Sequence, residues 1–265
     1  MSWLSRLAAA LLLSGLVAPA EAAPSRVVSL NLCADQLLVL LLPRERIAAL
    51  SPLATDPTLS AVADRAHGIP RVRPAAEAVL PLAPDLAVAG PWGGAGAAAA
   101  LARRGVPVIR LGLADGFGAI EEQLLRVGEA VGESEKARAL AAEMQAALAA
   151  IPRREGARPR ALVWQARGFA PGRGTLADSV LAAAGFDNAA PYAGYGFVPL
   201  ERVLAAPPDL LVTARPGGPT SLSTALTHHP AIARAGIPRA TIDEALLACG
   251  SPYAARAAFL LSLHR

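Results

Sequence analysis

Apolar positions along the chain fall into short runs of Val, Ile and Leu separated by stretches of helical period. That alternation predicts βαβ units with parallel strands. The expected strands are 26–30, 46–50, 86–89, 106–111, 160–165, 210–213 and 240–242. The stretch 120–151 differs. Leu124, Val127, Val131, Leu140, Met144 and Leu148 recur there at helical spacing, with Glu and Arg on the other faces and only Gly132 interrupting, which predicts a short helix followed by a long one. Residues 152–159 then form a polar, Pro-rich segment of the kind found at domain boundaries. The pattern gives a first lobe at 23–115, a helical spine at 116–152 and a second lobe at 153–265.

A repeat supports two lobes. Glu77-Ala-Val-Leu-Pro-Leu-Ala-Pro84-Asp85-Leu-Ala-Val88 is echoed by Glu201-Arg-Val-Leu-Ala-Ala-Pro-Pro208-Asp209-Leu-Leu-Val212, with seven positions matching at a constant offset. In each copy a short amphipathic helix begins near the Glu, a Pro stops it, and an apolar strand follows. Good αβ punctuation arising twice by chance is the competing account.

The first twenty-odd residues have the pattern of an export signal. Arg6 precedes an apolar run at 7–17 that is interrupted by Ser14 and Gly15 and meets Pro19, too short for the roughly 18–20 residues of a membrane span. Ala20-Glu21-Ala22 is the expected cleavage signature, so residues 1–22 form a signal peptide and the mature chain starts at Ala23 in the periplasm.

Charge narrows the function classes. The formal net charge is +4, nearly all of the basic residues are arginine, and Lys136 is the single lysine. These charges are scattered rather than gathered on one face, which excludes a nucleic-acid partner. No Gly-x-Ser-x-Gly, His-Glu-x-x-His or phosphate loop with Gly-Lys is present, so no catalytic residue and no enzyme activity are assigned. Gly94-Ala-Gly96-Ala-Ala-Ala99, with Asp115 about twenty residues on, formally fits a dinucleotide fingerprint and leaves a periplasmic nucleotide-dependent oxidoreductase as a reading of a different class. His228-His229 sits in a polar turn and is taken as solvated; no metal site and no cofactor are expected.

Taken together, these residues resemble the iron-siderophore and vitamin B12 class of substrate-binding proteins of ABC importers. The resemblance is carried by Arg26-Val-Val-Ser-Leu-Asn31 running into a helix, Gly-Ile-Pro70, the spine, Gly172-Arg-Gly174-Thr leading to Ala-Gly185-Phe-Asp-Asn188, and the two Glu-to-Asp copies. It implies an α/β fold of two lobes with parallel-stranded sheets joined by a single long spine helix, with the ligand cleft between the lobes. It also implies a monomer that captures a siderophore-type metal chelate or a cobalamin-like corrinoid and delivers it to a permease dimer; haem or a metal is the alternative cargo. Glu77 and Glu201 match the family's permease-docking glutamates, one per lobe, although each also suits a helix N-terminus.

Ligands of open parallel sheets bind beyond the carboxyl ends of the strands. The expected binding residues in those loops are Asn31 and Trp92 in the first lobe, and Arg167, Phe169, Arg173, Tyr192, Tyr195 and Arg215 in the second, with Phe197 close by. Aromatic rings supply flat walls and arginines neutralise anionic groups, though either type also serves as a loop anchor or a solvated charge. Cys33 and Cys249 are the only cysteines. An oxidising compartment favours a disulfide between them; two buried thiols and metal ligation are the other states considered.

Overall fold

The computed structural model describes residues 22–153, 155–215 and 225–265. All but the last residue of the expected signal peptide at 1–22, together with Arg154 and residues 216–224, therefore lie outside the described residues.

The first lobe runs β1 (Val27–Ser29), α1 (Leu32–Leu41), β2 (Ile47–Ala49), α2 (Ala63–Ala66), α3 (Ala76–Val79), β3 (Leu86–Ala89), α4 (Ala95–Arg103) and β4 (Val108–Arg110). Its four strands are all parallel, in the order β2-β1-β3-β4. Successive side chains of a strand point to opposite faces. Val27 accordingly packs with Leu37, Leu38 and Leu41 of α1 on one side, and Val28 with Ala97, Ala98 and Leu101 of α4 on the other. Burial on both faces is why these strands have unbroken apolar runs.

The spine is α5 (Phe117–Ala130) and α6 (Ser134–Ala149), with the chain reversing at Gly132. The two lie side by side: Gln145 of α6 donates to Glu121 of α5 at 2.7 Å. Each reaches both cores. Ile120 and Met144 pack in the second lobe, while Leu124, Val127, Ala137 and Ala141 pack in the first. The helix that carries the chain from lobe to lobe is α6, and α5 braces it. The helix expected to be short has 14 residues, because it starts at Phe117, before the apolar repeat becomes visible. Arg46 pairs with Glu133 at 2.7 Å and also donates to the carbonyls of Val131 and Pro24. Lys136 caps α1 by donating to the Leu41 carbonyl at 2.9 Å. These cations tie the spine's turn to the first lobe and satisfy carbonyls at helix ends.

The second lobe runs β5 (Arg160–Val163), β6 (Phe169–Pro171), α7 (Leu176–Ala184), β7 (Asp187–Asn188), β8 (Tyr195–Phe197), α8 (Leu200–Ala205), β9 (Leu210–Ala214), α9 (Pro230–Arg234), β10 (Arg239–Ile242) and α10 (Ala254–Ser262). Its parallel sheet has the order β7-β5-β9-β10. In chain order that is second, first, third, fourth, the same as in the first lobe, so the two lobes share one topology. The repeated Asp residues have equivalent places in it. Asp85 accepts from the backbone of Ser25 and Arg26 at 2.7 and 3.0 Å, and Asp209 from that of Arg160 at 2.7 Å. Each carboxylate thus pins the start of the neighbouring strand. All seven expected strands are present. Three more were not foreseen: β6, β7 and β8 have only two or three residues each, and Pro171 and Gly196 break up the apolar pattern in two of them.

Candidate ligand cleft

The loops after the parallel strands meet between the lobes, and the chain's local chemistry decides which side chains they present. After β1, Asn31 caps α1 by accepting from Ala34 N–H at 3.0 Å, and its Nδ2 reaches the Trp92 carbonyl at 3.4 Å. It therefore joins the β1 and β3 loops. The Pro91-Trp92-Gly93-Gly94 turn leaves the indole with no core to enter, and Trp92 is 68% exposed. In the second lobe β6 and β8 form an antiparallel ribbon, with Phe169 opposite Phe197 and Pro171 opposite Tyr195. Strand alternation puts Tyr195 and Phe197 on one face. The Phe169 ring stacks on Tyr195 at 6.0 Å, nearly parallel, and meets Phe197 edge-on at 5.7 Å, both favourable geometries for aromatic quadrupoles.

Trp92 from the first lobe and Phe169, Pro171, Leu176 and Tyr195 from the second line a single open cavity of about 460 Å³, completed by Gln165, Ala177, Glu244, Leu247 and Ala248. A smaller hollow adjoins it, sharing Trp92, Leu176, Tyr195, Leu247 and Ala248 and adding Asp115, Gln123, Cys33 and Cys249. Cys33 and Cys249 are bonded, with their Cα atoms 5.2 Å apart, so the cleft floor carries a covalent link between the lobes. Beside it the backbones meet tightly. A Cβ placed on Gly250 would lie 2.1 Å from that of Ala114, and Ser179 Oγ donates to the Asp115 carbonyl at 2.8 Å.

Electrostatically the cleft is mildly acidic. Shielding by its walls raises the Glu244 carboxyl above its ordinary value. The Tyr195 phenol is raised by the same shielding and, less strongly, by the negative charge of Asp115. The phenol is therefore kept protonated, available as a donor.

Of the expected binding residues, the structure brings Trp92, Phe169 and Tyr195 together, with Asn31 bracing Trp92 from behind. The others lie elsewhere. The Tyr192 hydroxyl donates to the Ala170 carbonyl at 2.8 Å, and its ring covers Gly196 from the ribbon's other face. Arg173 lines a separate hollow of about 250 Å³ with Arg160, Arg202 and Pro208. Arg215 is paired with Asp243 at 2.5 Å. Arg167, exposed with φ +58°, turns the chain between β5 and β6 next to Phe169. Glu244, Leu247 and Ala248 were missed, although they follow β10 and so obey the same strand-end rule as the loops that were chosen. Asp115 lies in the cleft, and Gly94 packs against Leu30 at a distance of 3.0 Å from its would-be Cβ.

The family model described as periplasmic binding protein matches residues 27–232, from β1 into α9. The chain belongs to the periplasmic binding protein family. Among curated proteins, a cobalamin-binding protein of Halobacterium salinarum is 29% identical over 202 residues, covering 73% of this chain and 54% of its own length. The chain thus spans about half the length of the curated relatives it matches. Among solved structures, the periplasmic haem-binding protein RhuT from Roseiflexus sp. RS-1 superposes with a TM-score of 0.74 at 24% identity, covering 90% of this chain and 97% of that one. The vitamin B12 binding protein BtuF of Vibrio cholerae gives 0.67 at 17% identity, covering 91% and 96%. At these identities the likenesses establish the two-lobed fold.

Proposed function

We propose that the chain is the periplasmic substrate-binding component of an ABC importer, exported by the leader at 1–22, and that it captures a metal chelate or corrinoid between its lobes for delivery to a permease dimer. The observation that carries this reading is the single cleft walled by Trp92 from one lobe and by Phe169 and Tyr195 from the other. Large flat walls from both sides, in a chain with only three Trp, three Tyr and five Phe, suit a broad, rigid ligand. The function is binding rather than turnover, and the protein acts as a monomer.

Delivery rests on Glu77 in the first turn of α3 and Glu201 in the first turn of α8, both exposed and neither ion-paired among the described residues. Each helix returns the chain to the start of the next parallel strand, so it begins at the end of the sheet that carries the cleft. One carboxylate per lobe thereby flanks the ligand and suits arginine forks on a two-fold permease. Calorimetric titration of the mature chain with cyanocobalamin, ferric siderophores and haem tests the reading; saturable 1:1 binding of one of them is expected, and no binding across the set would overturn it.

A further inference from the structure

The charged groups of the cleft carry information about cargo that its aromatic walls do not. Among the described residues lining the two joined hollows, the charged side chains are Glu244 and Asp115, both acidic. No basic side chain is among the described residues that line either hollow. Of the three arginines placed to receive an anion, Arg215 is paired with Asp243, Arg173 lines the separate hollow, and Arg167, exposed at the turn before Phe169, is not among the described residues lining either hollow of the cleft. Glu244 stands among Trp92, Leu247 and Ala248 with no hydrogen bond or ion pair to another described residue, so both carboxylate oxygens are open to a ligand.

Ferric tris-catecholates and haem are anionic, through their chelating oxygens or their propionates. Bringing such groups against an unpaired carboxylate in a cleft whose described lining holds no cation is opposed by like-charge repulsion and by lost hydration. A corrinoid instead presents a rim of amide N–H donors on a flat, uncharged or cationic body, which complements stacked rings and a carboxylate acceptor. Accepting the cleft as the ligand site, on which this step rests, we propose that Glu244 is a specificity-determining residue that accepts hydrogen bonds from the amide rim of a corrinoid and disfavours anionic chelates. The raised Glu244 carboxyl agrees with this, since a shielded carboxylate gains from a donor.

The test is calorimetric titration of the full mature chain and of its Glu244→Gln and Glu244→Leu variants with cyanocobalamin, dicyanocobinamide, a ferric tris-catecholate and haem, with thermal unfolding as a check on the fold. The wild type is expected to prefer a corrinoid. Glu244→Leu should weaken that binding about tenfold or more, because the donors lose their acceptor, and Glu244→Gln should fall between. Both variants should also bind the anionic chelates more tightly than the wild type does. Tighter wild-type binding of the tris-catecholate or haem than of either corrinoid would overturn the assignment while sustaining the cleft as a ligand site. Equal corrinoid affinity in the wild type and Glu244→Leu would remove the role of Glu244. Binding of none of the four by the folded wild type would overturn the underlying reading as well.

Discussion

Cys33, in the first turn of α1, is bonded to Cys249, just beyond β10 in the other lobe, and the bond closes a loop of 216 residues at the floor of the cleft. Besides the spine, it is the covalent tie between the lobes, and it lies where hinge opening would separate them. The bond is expected to limit rocking of the lobes and so to keep the cleft preformed. Reduction, or Cys33→Ser with Cys249→Ser, is expected to lower stability by about 2–5 kcal/mol. Solution scattering should also show a larger radius of gyration for the ligand-free chain, and unchanged scattering would mean that the spine alone fixes the lobe spacing.

Trp92 is expected to serve binding rather than folding. It is 68% exposed, so Trp92→Ala should change stability by no more than about 0.5 kcal/mol. Affinity for the cargo should fall by about 2 kcal/mol, roughly thirtyfold, as for a truncated aromatic anchor. Thermal melts and titration read the two effects separately.

Glu77→Arg combined with Glu201→Arg is expected to abolish uptake in cells that depend on this chain while leaving ligand affinity unchanged. Each carboxylate is exposed and neither is among the described residues lining the cleft, and reversing both replaces attraction to permease arginines by repulsion. Normal uptake by the double variant would remove the docking role.

Asp35 gives stability a specific dependence on pH. Its carboxyl is buried in α1, which raises it above 3.8 despite hydrogen bonds from Ser29 and Ser51; Ser51 N–H donates to it at 2.8 Å. The native state therefore holds this proton more tightly than the unfolded chain does. The stability that follows is fully present below 3.8 and is lost as pH rises through the folded value. Asp35→Asn stays neutral throughout, so its stability relative to the wild type should increase between about pH 4 and pH 7. A constant difference in denaturant melts at the two pH values would contradict this.

Much of the fold was legible because its strands are buried on both faces and so read as unbroken apolar runs, as at Val27-Val28 and Leu210-Leu211-Val212. The Glu-to-Asp repeat was legible for a reason the structure supplies: Asp85 and Asp209 pin equivalent strand starts. The ribbon of β6 and β8 was not, since three-residue strands containing Pro171 and Gly196 leave no period to detect. For the site, loop position identified the aromatics Trp92, Phe169 and Tyr195. The arginines could not be sorted the same way, because a guanidinium's partner lies far off in sequence, as Asp243 does from Arg215. Glu244 was hidden for the converse reason: its proposed role rests on there being no cation among the described residues lining the cleft, which only the assembled cleft reveals.

The central claim is that ligand is held by both lobes through the aromatic cleft. Thermal unfolding of the wild type and of Trp92→Ala with Tyr195→Ala, each with and without corrinoid at a hundredfold excess over the wild-type Kd, tests it most directly. The wild type should gain about 2.7 kcal/mol and the double variant almost none at the same corrinoid concentration. An equal gain in both proteins would place the ligand outside this cleft and contradict the account.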